Sequence, residues 1–252
     1  MPRPTTLLSL TLFVWCLALD ARMNAADLTP AQINGRGLAT ELLAQKPVEN
    51  FDAMAVFKKT DHAGARSEIQ VRLQVMVSAG SWRSVYTAFD PQHTAVEQFT
   101  VLHSDQEPNQ YRRTIILGNQ GKLAEPVAVP PEQVFTTPFA GSDFLLGDLG
   151  LEFFHWPEQR LIKKQMRLGR SCRVLESQNP RPTPATYLRV LSWIDLESGG
   201  LVRAEAYDLE NKLAKEFTVQ SFSKVNDQWQ VKKMEIRNLP SDSRTLLVMN
   251  FD

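Results

Sequence analysis

The residues of this chain whose types can do chemistry are four histidines, a Gly-Ser-Asp triplet, two aspartates in one loop and a strand cysteine. The histidines are His62, His93, His103 and His155. A zinc motif such as His-Glu-x-x-His spaces its ligands so that one short stretch of backbone aims them at one ion. None of the four forms such a motif, so no metal ligand is assigned. His155, between Phe154 and Trp156, reads as a polar tip in an aromatic segment. The chain holds no Gly-x-Ser-x-Gly elbow and no phosphate-binding glycine loop. Gly141-Ser142-Asp143 has the residue types of a nucleophile site but reads as a turn. Gly141 permits an unusual backbone angle, and Ser142 or Asp143 can bond nearby amides. Asp143 and Asp148 follow turn-type residues, and solvated loop faces explain them more simply than general acid–base work. Cys172, flanked by Ser171 and Arg173 in a strand pattern, reads as a small buried filler. No catalytic residue and no cofactor follow from these residues, so the question becomes what the molecule holds.

The elements that carry them are mostly strands. Ile69, Val71, Leu73, Val75 and Val77 alternate with Gln70, Arg72, Gln74, Met76 and Ser78, the clearest period-two run in the chain. Ala79-Gly80-Ser81 turns into a strand over Trp82–Phe89, followed by Thr94–His103, Tyr111–Leu117 and a fifth ending near Val129. Residues 130–150 break the pattern with Phe, Leu, Gly and Pro. Strands resume over Gln159–Arg167 and Gly169–Ser177, then beyond the stiff Pro-rich connection 179–184. Short hairpins in succession predict about ten antiparallel strands with one covered face. Ahead of them, Thr29 as N-cap and Pro30 as first helical residue start a helix with Ile33, Leu38, Leu42 and Leu43 as its apolar stripe. Gly35 and Gly37 weaken that helix. Asn50–Thr60 stays ambiguous, because Phe51, Met54 and Phe57 are at helical spacing. A sheet this long normally curls; the expectation is a curved sheet wrapped around the helix, with a two-sheet sandwich as the alternative.

Residues 1–26 read as an export signal. Leu7–Leu19 is almost wholly apolar but shorter than the ~20 residues a spanning helix needs, and Asn24-Ala25-Ala26 offers cleavage after Ala25 or Ala26. Cys16 lacks the small preceding residues of a bacterial lipoprotein signal. The remaining 27–252 suffice for a single domain. They carry 26 basic and 27 acidic residues with no charge block, so no nucleic-acid partner is expected. Cys172 is then the only cysteine, and stability must come from packing rather than a disulfide.

The stretch Phe139-Ala140-Gly141-Ser142-Asp143-Phe144, followed by Asp148-Leu149, resembles the periplasmic outer-membrane lipoprotein-sorting proteins, relatives of the lipoprotein carrier and its outer-membrane receptor. The likeness continues through Trp193-Ile194-Asp195, Ala206-Tyr207-Asp208, Lys212-Leu213, Trp229, Lys233-Met234-Glu235 and Ser243-Arg244-Thr245. In residues 121–139 the chain departs from that family, lacking its Trp-x-Tyr-x-Pro segment and the basic residues after it. The resemblance implies a mainly β fold with α: a strongly curved, half-open antiparallel sheet, an incomplete barrel, wrapped around N-terminal and loop helices. It implies an apolar cavity on the concave face, with a lipid or lipoprotein acyl chain as ligand and an envelope membrane protein as a further partner. Carried onto this chain, Phe139, Phe144, Leu145 and Leu146 would sit at the mouth or lid, and Val71, Leu73 and Val75 would line cavity or core. Gly141, Ser142 and Asp143 would shape the loop. Arg244, on the side of Leu246 and Val248, would pair with Glu235 or Asp195. The expected setting is the periplasm of a Gram-negative bacterium and the expected role a carrier. A non-catalytic envelope scaffold or interaction module with a filled core is the alternative.

Overall fold

Helix α1 runs Pro30–Leu43, opened by a reciprocal capping box. Gln32 N donates to Thr29 Oγ1 and Thr29 N donates to Gln32 Oε1, satisfying two amides that the first helical turn leaves open. The computed structural model describes residues 28–104, 107–116, 125–225 and 228–251. The export segment and its cleavage site lie outside the described residues. The buried face of α1 is Gly35, Leu38 and Ala39, whereas Ile33 and Leu43 of the expected stripe are exposed. The helix packs through a narrow face onto strand Glu158–Arg167, where a Cβ at Gly35 would stand 2.5 Å from the backbone N of Arg160. Gly35 is thus a close-approach glycine that lets the helix seat.

Among the described residues thirteen strands follow: β1 Phe51–Thr60, β2 Arg66–Ser78, β3 Ser81–Phe89, β4 Ala95–Ser104, β5 Gln110–Ile115, β6 Val127–Ala128, β7 Glu158–Arg167, β8 Arg170–Gln178, β9 Arg189–Asp195, β10 Leu201–Tyr207, β11 Leu213–Val225, β12 Gln228–Asn238 and β13 Ser243–Asn250. They form one sheet in the order β6-β5-β4-β3-β2-β1-β13-β12-β11-β10-β9-β8-β7. The pairings are antiparallel throughout, as hairpin succession predicts. The one long-range closure is β1 on β13, with Met54 opposite Asn250 and Thr60 opposite Arg244. Among the described residues β6 and β7 are the edge strands, and the sheet is half-open rather than a barrel.

The ambiguous segment Asn50–Thr60 contains strand β1. Ala53, Ala55 and Phe57 alternate inward. Met54 and Val56 on the other face are apolar too, and that continuous apolar character hid the period of two.

Flat, thirteen strands at about 4.8 Å spacing would span roughly 58 Å. One apolar cluster nevertheless joins Phe99 of β4 and Val101 to Val71, Phe57, Leu247, Ile236, Ala206, Val190 and Leu175 of β8. Only a strongly curled sheet, with something filling its concave side, brings those strands into one core.

Candidate functional site

The filler is residues 130–156, a plug laid across the concave face between β6 and β7. It comprises a 3-10 turn at Pro131–Gln133, the short helix α2 at Leu146–Leu149 and a second 3-10 turn at Glu152–His155. Its rings interlock with those of the strands. Phe139 packs edge-on to Phe57 at 6.1 Å between centroids and lies 6.0 Å from Tyr86 and 6.2 Å from Phe99. Phe144 lies 5.3 Å from Phe57, and Phe135 lies 5.4 Å from Trp156 and 5.2 Å from Tyr187.

Polar groups tether the plug to β1, β4, β11 and β13 and to Tyr187 just before β9. Ser142 Oγ donates to Phe139 O and accepts from Phe144 N, closing a turn in which Gly141 takes φ 65°. Asp143, buried, accepts from the hydroxyls of Ser243 and Thr245 on β13 and returns its own amide to Thr245. Lys215 of β11 donates to Asp143 O and stands 3.4 Å from Asp148 Oδ2. Asp148 also accepts from Leu145 N and from the hydroxyl of Tyr187, which burial and the nearby carboxylate push well above the usual tyrosine range. Glu97 of β4 accepts from Ala140 N and pairs with Arg113 of β5 at 2.7 Å. Lys59 of β1 donates to Gly141 O at 2.6 Å.

At the other end of the sheet the plug leaves space. A cavity of about 210 Å³ opens between the C-terminal turn of α1, the start of β3, the end of β4 and the β9–β10 turn. Leu42, Trp82, Leu151, Phe154 and Leu201 supply its apolar wall, and His103, Asn109 and His155 its polar rim. Leu151 and Leu201 also line an inner apolar cavity of about 40 Å³ beneath the plug, where Phe144, Val190 and Ile236 lie. Leu151, half-exposed with φ 49°, stands between the two spaces. At the rim Trp82 stacks on His103 at 3.6 Å. Burial lowers the His103 imidazole to about 4 and lowers His155 as well. Burial raises the Glu152 carboxyl, which accepts from Tyr111 at 2.6 Å and from Asn109. The rim therefore presents neutral imidazoles at ordinary pH. Among the described residues no three His, Cys, Asp or Glu side chains converge on a metal position.

The structure redistributes the expected site residues. Phe139 and Leu146 are fully buried plug residues, a correction to their placement at a mouth or lid. Their rings and methyls occupy the space that curling leaves on the concave face. Phe144 is buried and also borders the inner cavity, while half-buried Leu145 faces an outer depression beside Ser142 and Asp143. Val71 is core; Leu73 and Val75 are half-buried on the same face of β2, and none of the three borders either cavity. α1 packs on β7 and β8, and Leu42 and Leu43 at its C-terminal end border the larger cavity. Arg244 is exposed and opposite Arg237, and Asp195 pairs with Arg170 at 2.7 Å, so the expected Arg244 pair is corrected. Its neighbours Ser243 and Thr245 point inward and do the buried work. Sequence reasoning missed Lys215, Glu97 and Tyr187. Lys215 shares a strand face with Phe217 and Val219, and a lysine on an inward face was the available signal.

A family model described as "uncharacterized protein" matches residues 131–251. No curated protein matches the chain. Three solved structures align over nearly its whole length. A DUF1329 family protein from Desulfovibrio piger has 17% identity and a TM-score of 0.70, covering 88% of this chain and 92% of that one. An outer membrane lipoprotein-sorting protein domain from Vibrio parahaemolyticus has 18% identity and a TM-score of 0.71, covering 87% and 92%. A LolA superfamily protein from Nitrosomonas europaea has 14% identity and a TM-score of 0.59, covering 88% and 93%. The half-open sheet, its concave plug and these likenesses together give the chain the fold of the outer-membrane lipoprotein-sorting domains.

Proposed function

We propose that the protein is a non-catalytic carrier of the Gram-negative periplasm that holds an acyl chain, of a lipid or a lipoprotein, between the concave face and the plug. The observation that carries this reading is the pair of apolar cavities meeting at Leu151 and Leu201. The outer one is smaller than the ~300–1,000 Å³ of common ligand pockets, so loading requires the plug to shift. The magnitudes permit it. Ten buried methylenes contribute about 8 kcal/mol, close to the ~1.5–3 kcal/mol each at stake when three large side chains leave a core. An acyl chain that takes the places of Phe139, Phe144 and Leu146 thus offsets much of the cost of displacing them.

Native mass spectrometry after gentle purification, and titration with a fluorescent fatty-acyl probe, test the proposal. Bound acyl mass, saturable probe binding and loss of binding in Leu201→Trp are the expected results. A wild-type protein that binds no acyl probe while its melting temperature stays constant would sink the carrier reading. The tethers around Asp143 and the filled core favour the second reading in that case, an envelope scaffold or interaction module. In the carrier reading the chain is exported and begins at Ala26 or Asp27 after cleavage, which the intact mass of envelope-derived protein checks.

A further inference from the structure

We propose that the tip of the β7–β8 hairpin, with the adjoining β9–β10 turn, docks on a bilayer surface carrying anionic phospholipid. Met166 and Leu168 at that tip are 63% and 58% exposed, Ile162 on β7 is 45% exposed and Leu196 in the next turn 44%. Leu168 takes φ 51° and Gly169 φ 75°. A two-residue hairpin turn needs such angles and favours Asn or Gly in them. Here a leucine takes the strained position and presents its aliphatic side chain to solvent.

Along the hairpin itself the charge is one-signed, and the adjoining turn adds exposed Glu197 and the buried Asp195. Between Glu158 and Glu176 the chain carries Arg160, Lys163, Lys164, Arg167, Arg170 and Arg173 and no acidic residue. Arg170 pairs with Asp195 and Arg173 with Glu41 at 3.0 Å. Among the described ion pairs the other four have no carboxylate. Arg167 lies over the Trp193 ring at 5.7 Å, which holds its charge at the hairpin. Lysines on an edge strand also discourage strand pairing. That explains Lys163 and Lys164 but not the apolar tip between the basic residues. Exposed aliphatic side chains ringed by cations are the composition that enters a headgroup layer and attracts anionic lipid.

The location agrees. By register, the β7–β8 tip and the β9–β10 turn lie at the same end of the sheet, and Gly199 and Leu201 of that turn line the larger cavity. Docking there brings the cavity mouth to the lipid; this consequence rests on the carrier reading, whereas the docking does not.

Sedimentation of the purified protein with vesicles tests the proposal, comparing phosphatidylcholine alone with phosphatidylcholine containing phosphatidylglycerol. The protein is expected to sediment with the anionic vesicles and to be released by salt. Lys163→Gln with Lys164→Gln is expected to lower partition about thirtyfold. Met166→Ser with Leu168→Asn is expected to lower it with the charge intact, and Asn suits the left-handed position. Unchanged melting curves of both variants show that the loss is not unfolding. Equal binding to the two vesicle types, or full binding by both double variants, overturns the proposal. So does a solution dimer that the same substitutions dissociate while vesicle binding is absent, because the hairpin would then be a protein contact.

Discussion

Asp143 and Arg244 stand on facing segments and illustrate how little charge alone says about a residue's task. Asp143 is buried with its carboxylate shared between two hydroxyls, whereas Arg244 is a solvated strand residue. Asp143→Ala leaves Ser243 and Thr245 without their acceptor and should cost about 2–4 kcal/mol. Arg244→Ala should stay within about 0.5 kcal/mol. Urea unfolding of both variants checks the contrast, and equal losses would show that the tether is not anchored where the geometry puts it. His103 gives the molecule a pH dependence. Its folded pKa, about 4, lies below the ordinary histidine value of 6.5. Between those limits the unfolded chain binds the proton and the folded one does not, so stability rises with pH across that window and is lost on acidification. The contribution is about 3 kcal/mol at most. Unfolding measured at about pH 7 and about pH 4.5 should show a smaller difference in His103→Gln than in wild type.

At the scale of elements, α1 and the plug each depart from what their composition suggests. By propensity Gly35 and Gly37 weaken α1. Gly35 instead marks where the helix backbone meets Arg160, with Arg36 near Glu158 at 3.4 Å to hold the seat. Gly35→Ala therefore has no room and should destabilise by about 1–3 kcal/mol through displacement of α1 from β7. Gly37, with nothing near its missing Cβ, should tolerate or gain from alanine. Thermal melts of the two variants separate these outcomes; equal shifts would remove the close-approach reading. The plug looks like a loop by composition, with its Gly, Pro and Phe. It is instead the centre of the core, because a curled sheet has one concave face and needs one filler.

The whole molecule depends on the meeting of its ends. β13 lies between β1 and β12, and it also supplies the hydroxyls that hold Asp143. A chain ending before Ser243 exposes two strand edges at the middle of the sheet and orphans the plug. Such a truncation should lack cooperative unfolding and be digested rapidly under limited proteolysis, and a sharp melt near that of the full chain would count against this account. The same closure explains why a sandwich could be entertained from the sequence. Hairpins describe neighbours, and the β1–β13 pairing that makes one sheet of two hairpin series is a contact between distant residues.

Hairpin strands, the capped start of α1 and the unusual backbone at Gly141 were determined by the sequence itself, because each rests on local chemistry within a few residues. Alternation at Ile69–Val77 needs no partner to be read, and Thr29-Pro30 needs none either. The tertiary structure alone decided which side chains fill the concave face, which polar groups hold the plug and where the cavities lie. Phe139 and Leu151 have similar apolar character in the sequence, yet one is sealed among Phe57, Tyr86 and Phe99 and the other separates two spaces. Burial depends on what arrives from distant strands once the sheet has curled, and the spacing of neighbouring residues does not encode that curvature.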